Sequence, residues 1–243
     1  MLKHVRYGVK KIIAGFALLS VEIIVLLLVF GGALVAFISI TKMIFKEKKE
    51  DFDQHAFRFL ASQVNDVNTN VMEFFTFLGT HTFLIPANFI LVAYFLFIKK
   101  HRWYSIKVPV VAISSVLLMF LLKMFFQRDR PLSPLLRAAK GYSFPSGHAL
   151  MSITFYGLII FIVWQNIKIA WLKWTLTVLL ALLIITIGSS RVYLRVHYSS
   201  DVLAGFAVGL MWLLLSLWVL NKFEVYSRRN VDPVIQAETV EEK

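Results

Sequence analysis

The chain has 243 residues, 58% of them hydrophobic, with a mean hydropathy of +0.72 and a formal net charge of +12. That apolar share exceeds the level of a soluble domain and argues for an integral membrane protein. The absence of cysteine excludes disulfides, cysteine-ligated zinc and thiol catalysis. The basic residues lie between apolar runs and form no long stripe, so the charge points to anionic headgroups and phosphates, with no nucleic-acid partner.

Residues 1–11 are basic and precede an apolar run of nearly thirty residues. A secretory leader has a shorter apolar core, so the run is read as an uncleaved signal anchor. A spanning helix needs about 20 apolar residues. Six segments approach or exceed that length: residues 12–40, 83–98, 108–126, 149–164, 169–187 and 202–220. The fold class is therefore all-α, an integral bundle of six transmembrane helices.

Between the first two spans, residues 41–81 are mixed. A charged stretch gives way to Phe57, Leu60, Val64 and Val67 at helical spacing. That pattern predicts one or two amphipathic helices at the interface. The expected organisation is a basic cytoplasmic N-terminus (1–11), a membrane domain (12–221) and a mobile cytoplasmic tail (222–243). With the N-terminus inside, more than half of the 26 Lys and Arg fall on the cytoplasmic side, including Lys99, Lys100, Arg102, Lys107, Lys168, Lys173 and Lys222. Segments 127–147 and 188–200 then both face outward.

Three polar patches fall on that outward side. In K-M-F-F-Q-R-D-R-P (123–131), Lys123 and Arg130 are seven apart, about two helical turns. They would point the same way if the third span continued outward. In G-Y-S-F-P-S-G-H-A-L (141–150), Ser146 is a natural N-cap, Gly147 lets backbone approach a ligand, and His148 stands beside the resulting anion site. In S-S-R-V-Y-L-R-V-H-Y-S-S-D (189–201), His197 and Asp201 are four apart, as one helix face requires, and Arg191 precedes them in a loop. Each patch alone also fits a structural role: snorkelling cations, a capped span, a surface ion pair. Together they supply cations, amides, two imidazoles and a carboxylate on one membrane face, an inventory that suits a phosphate ester.

The spacings K-x6-R-P, P-S-G-H and S-R-x5-H-x3-D, in this order, resemble the three-part signature of the type 2 phosphatidic acid phosphatase family, over about residues 80–220. The resemblance implies a metal-independent lipid phosphatase with no cofactor, and the sequence carries no HExxH. It implies His197 as the nucleophile that forms a phosphohistidine and Asp201 as its orienting carboxylate. His148 becomes the general acid. Lys123, Arg130 and Arg191 become the phosphate clamp, with Ser146 and Gly147 as further donors. Family substrates include undecaprenyl diphosphate, phosphatidylglycerol phosphate, phosphatidic acid and phosphorylated lipid A. A phosphotransferase on the same scaffold and a non-catalytic lipid carrier are the alternatives, and no oligomeric state is specified.

Arg128, Arg137 and Lys140 lie beyond the motif and are expected to meet a second phosphate. Glu22 lies inside the first span and reads as a hydrogen-bonded structural acid. Gly205 and Gly209 read as a close helix-packing pair. Trp103, Trp164, Trp171 and Trp174 are expected at membrane interfaces.

Overall fold

A computed structural model of the chain describes residues 2–132, 134–135 and 140–231, with side chains from Val21 onward except Glu22. Arg137, the Glu22 side chain and residues 232–243 therefore lie outside the described residues. Among those described there are eight α-helices and no strand. They are α1 (Leu2–Thr41), α2 (Asp51–Ala61), α3 (Asp66–Phe77), α4 (His81–Ala93), α5 (Arg102–Phe126), α6 (Gly147–Asn166), α7 (Ala170–Tyr193) and α8 (Ser199–Asn230). Wider π-turns extend α1 through Lys42–Lys46 and α4 through Tyr94–Ile98. Six of these elements are long and apolar enough to cross a membrane, as expected. The last helix runs further than the sequence suggests, so Lys222–Asn230 is helix and not tail.

Helix α6 is the centre, packed by α5, α7 and α8. Small residues set the separations. A Cβ on Gly205 would lie 2.6 Å from the Ser146 carbonyl oxygen, and one on Gly209 would lie 2.9 Å from the Leu150 carbonyl oxygen. Only glycine lets α8 approach the α6 backbone this closely, so the pair packs helices as expected. Val108, Val111, Leu158, Leu213 and Leu217 fill the space between α5, α6 and α8 at one level. Leu84, Phe155, Tyr156, Ile184 and Ile187 fill that between α4, α6 and α7 at another.

The two ends of the bundle differ. At one end lie Trp103, Trp164, Trp171 and Trp174, with Lys99, Lys100, Arg102, Lys168, Lys173 and Lys222, as an interfacial belt would have them. Lys107, expected in a loop here, is instead inside α5 and 3% exposed. Its Nζ lies 2.6 Å from both Glu224 Oε2 and Asn221 Oδ1, because a buried ammonium must find partners.

At the other end α2 and α3 cap the bundle. Phe57 and Leu60 pack against Ala149, Val192 and Val202, as their spacing predicts. Val64 and Val67 do not join them: the helix breaks at Gln63–Asn65, where the Asn65 side chain caps α3 by accepting from Asn68 N at 2.8 Å, and both valines stay exposed. The loop before α6 is tied down by Phe144, whose ring sits in a cluster with Phe37, Phe45 and Phe126 at centroid distances of 4.9–6.0 Å. The capped end receives the C-termini of α5 and α7 and the N-termini of α6 and α8, the four termini that carry the polar patches.

Candidate active site

Helix α5 stops at Phe126 because Gln127 adopts a left-handed conformation, φ 46°, with its amide closing onto the Lys123 carbonyl. Arg130 is therefore not on the helix two turns above Lys123, as the spacing suggested. It reaches the site along a non-helical segment that pairs with the next loop through Ser143 N and Arg128 O, 2.7 Å apart. Lys123 Nζ donates to the Tyr142 and Ser143 carbonyls at 2.5 and 3.4 Å. Arg130 Nε donates to Gly141 O at 2.8 Å and its Nη1 to Val196 O at 2.8 Å. The same Nη1 lies 3.2 Å from His197 Nε2.

Arg191 sits in the last turn of α7 and not in a loop, and it is 9% exposed. Its Nη1 donates to Thr76 Oγ1 of α3. The chain then turns sharply, with Arg195 at φ 53°. Both Val196 N and His197 N donate to the Arg191 carbonyl, at 3.1 and 3.2 Å, so the turn sets His197 beside Arg191.

The His197–Asp201 pair is built by a cap and not by a helix face. His197 precedes α8, which starts at Ser199, and the Asp201 carboxylate reaches back to accept from Tyr198 N at 3.0 Å. That places Asp201 Oδ2 3.4 Å from His197 Nδ1. Ser143 Oγ sits between them, 3.2 Å from Nδ1 and donating to Asp201 Oδ2. Because Ser143 gives its proton to the carboxylate, it can only accept from the ring. Nδ1 therefore carries the hydrogen and Nε2 keeps a lone pair. Burial holds the His197 pKa down at about 4, against the raising effect of Asp201 and with help from Arg130 and Lys123. The ring is neutral at pH 7.

Ser146 precedes α6 and its amide donates to the Asp201 carbonyl at 2.9 Å, which ties the second patch to the third. Its hydroxyl makes no capping bond. Gly147 also lets α5 pack closely here, since a Cβ there would lie 2.5 Å from Met119 Sδ. His148, in the first turn of α6, lies against Gly79 of the α3–α4 turn, where a Cβ would come within 3.0 Å of the ring. His148 interacts electrostatically with Arg191, His197 and Arg130, so the three patches converge on one volume.

Among the described residues, three buried side-chain atoms have no hydrogen-bond partner: Ser146 Oγ, His148 Nε2 and Arg191 Nε. All three belong to this cluster. Buried polar atoms left unpaired cost about 1–3 kcal/mol each and are rare without a reason. An anion would satisfy all three at once, accepting from Arg191 Nε, the Ser146 hydroxyl and a protonated His148 Nε2.

The sequence profile of the PAP2 superfamily matches residues 104–224. Phosphatidylglycerophosphatase B of Bacillus subtilis (strain 168) is 33% identical over 154 residues, 63% of this chain and 73% of that protein. The chain belongs to the PAP2 superfamily. Its architecture agrees. A crystal structure of a transmembrane PAP2-type phosphatidylglycerolphosphate phosphatase from Bacillus subtilis aligns with a TM-score of 0.73 at 26% identity, covering 79% of this chain and 96% of that one. LpxE of Aquifex aeolicus aligns with a TM-score of 0.53 at 25% identity, over 70% and 98% of the two chains. The expected enzyme class, a lipid phosphatase of the PAP2 type, stands.

Three further side chains at the PAP2 site had no role assigned from sequence. Ser143 lies within the second motif. Asp53 comes from α2 and Thr76 from α3. Asp53 was legible in principle, since it shares a helix face with Phe57 and Leu60, and a carboxylate on an apolar face implies a buried partner. That partner is Arg128, which corrects the expectation that Arg128 meets a second phosphate. Its Nη1 donates to Asp201 Oδ1 at 2.6 Å and its Nη2 to Asp53 Oδ2 at 2.9 Å, while the guanidinium stacks on Tyr198. Lys140 is exposed.

Proposed function

We propose that the protein removes phosphate from a membrane lipid phosphate or diphosphate through a phosphohistidine at His197. The observation that carries this reading is the set of unpaired buried atoms at Ser146, His148 and Arg191, close to a neutral imidazole whose Nε2 lone pair faces Arg130. Lys123, Arg130 and Arg191 meet the charge on the equatorial phosphoryl oxygens, and Ser146 Oγ–H adds a neutral donor. His197 Nε2 attacks phosphorus, and the bond from phosphorus to the leaving oxygen breaks. His148, protonated once the anionic headgroup is bound beside it, gives its Nε2 proton to that oxygen and becomes neutral. Water then attacks the phosphohistidine, His148 takes the water proton, and the P–N electron pair returns to Nε2. Asp201 and Ser143 hold the ring throughout. No step runs through a metal.

The substrate's tails remain in the bilayer while its headgroup enters at the capped end. Even span number puts both chain termini on one side. The end opposite the site carries the denser set of lysines and arginines that take no part in the site, which favours cytoplasmic termini and an extracytoplasmic site. The relatives named for phosphatidylglycerophosphate and the absence of Arg128 from the pocket favour a monoester headgroup over a diphosphate.

Phosphate release by purified protein in chelator, without an acceptor alcohol, tests the reading against phosphatidylglycerophosphate, phosphatidic acid and undecaprenyl diphosphate. Release from a lipid phosphate that vanishes in His197→Ala is the expected result. Release that persists in His197→Ala, or no release until an acceptor alcohol is added, would overturn it.

A further inference from the structure

Asp53 is 2% exposed, on a helix that otherwise docks through Phe57 and Leu60. Burying a carboxylate costs several kcal/mol unless its partners repay it, and an apolar residue would dock α2 as well. Its partners all lead inward to one group. Asp53 Oδ1 accepts from Ser200 N at 2.8 Å, and Oδ2 accepts from Ser200 Oγ at 2.6 Å and from Arg128 Nη2 at 2.9 Å. Arg128 Nη1 in turn donates to Ser200 Oγ at 2.8 Å and to Asp201 Oδ1 at 2.6 Å. Asp201 spends its other oxygen on Ser143, Tyr198 N and His197.

We propose that Asp53 is a positioning residue for the reaction, acting through Arg128 on the carboxylate that orients the nucleophile. This rests on the phosphatase reading above. An unrestrained Arg128 would face Asp201 alone, and the favoured geometry for that pair is a two-pronged fork onto both carboxylate oxygens. The fork would draw Oδ2 away from Ser143 and His197 Nδ1. Asp53 prevents it by holding one prong, so only Oδ1 of Asp201 is taken. The residue lies outside the region matched by the PAP2 profile, in the interfacial α2, so that helix supplies part of the catalytic geometry as well as a cover.

The test is a double-mutant cycle on the full-length protein in detergent, using whichever lipid phosphate the wild type hydrolyses. Asp53→Asn is expected to lower kcat by about 10–100-fold with KM changed little. Combined with Arg128→Met, it is expected to add no further loss, because the route to Asp201 is already cut. Leu60→Ala, which weakens α2 docking without touching the network, is expected to lower thermal stability and leave kcat unchanged. Asp53→Glu keeps the charge and moves it by one methylene, and an intermediate kcat is expected.

Wild-type kcat in Asp53→Asn, or losses that add in the double variant, would overturn the proposal. Should Asp53→Asn not fold, wild-type kcat in Asp53→Glu would do the same. If the wild type releases no phosphate, or His197→Ala retains turnover, the phosphatase reading itself has failed.

Discussion

Protonating His197 should require far more acid than an ordinary histidine does. The ring is 2% exposed, and burial penalises the imidazolium more than Asp201 supports it, so its pKa falls from 6.5 to about 4. At pH 5 such a ring is still about nine-tenths neutral, whereas a ring titrating at 6.5 would be about 3% neutral, a ratio of roughly 30. The substrate's own second ionisation, near pH 6, would blur this in a rate profile. The direct assay is an NMR titration of ¹⁵N-histidine-labelled protein in micelles, with the His197 signal assigned by its loss in His197→Gln. A midpoint near 4, with the hydrogen on Nδ1 above it, is expected. A midpoint at 6.5 or higher would show that Asp201 outweighs burial and would refute the account of a ring held neutral by its surroundings.

The same shift has a consequence for stability. Between pH 6.5 and 4 the unfolded chain binds a proton at His197 that the folded chain refuses, so the stabilisation is whole above pH 6.5 and is lost as pH falls towards 4. Wild type should lose about 3 kcal/mol across that window from this group, and His197→Gln should lose correspondingly less in thermal unfolding in detergent. Ser143→Ala should leave lipid binding near normal and lower kcat by about 10–100-fold, since the link between Nδ1 and Asp201 Oδ2 is gone; an unchanged kcat would return the ring's orientation to Asp201 alone. Gly205→Ala should cost about 1–3 kcal/mol and depress activity, because its Cβ meets the Ser146 carbonyl, which is backbone and cannot yield. Gly31→Ala, with nothing within 4 Å of its Cβ, should be neutral or gain up to about 1 kcal/mol by thermal unfolding.

Much of this fold could be read from apolar run length, because a bilayer leaves helices as the main solution for such runs. The three patches were legible for the same reason, as polar groups at span ends stand out against their surroundings. What the sequence concealed was how the chain enters and leaves each helix. Lys123 and Arg130 looked like one helical face, but the left-handed Gln127 ends α5 between them. His197 and Asp201 also looked like one face, and a cap joins them instead. The packing of Met119 against Gly147 was equally invisible, because the two lie on different helices far apart in the chain. Asp53, Thr76 and Gly79 were missed because their partners lie far along the chain, at Arg128, Arg191 and His148. Period and spacing report neighbours on one helix. They carry nothing about which interfacial segment folds over which span end.

The central claim is that phosphorus is bonded to Nε2 of His197 during turnover. A single-turnover reaction quenched in alkali, where a phosphoramidate survives, followed by peptide mapping by mass spectrometry, examines it directly. A phosphoryl group on the peptide carrying His197, formed and lost at rates that account for turnover and absent from His197→Gln, is the predicted result. An adduct on the His148 peptide instead, or full phosphate release with no adduct at any time, would contradict it.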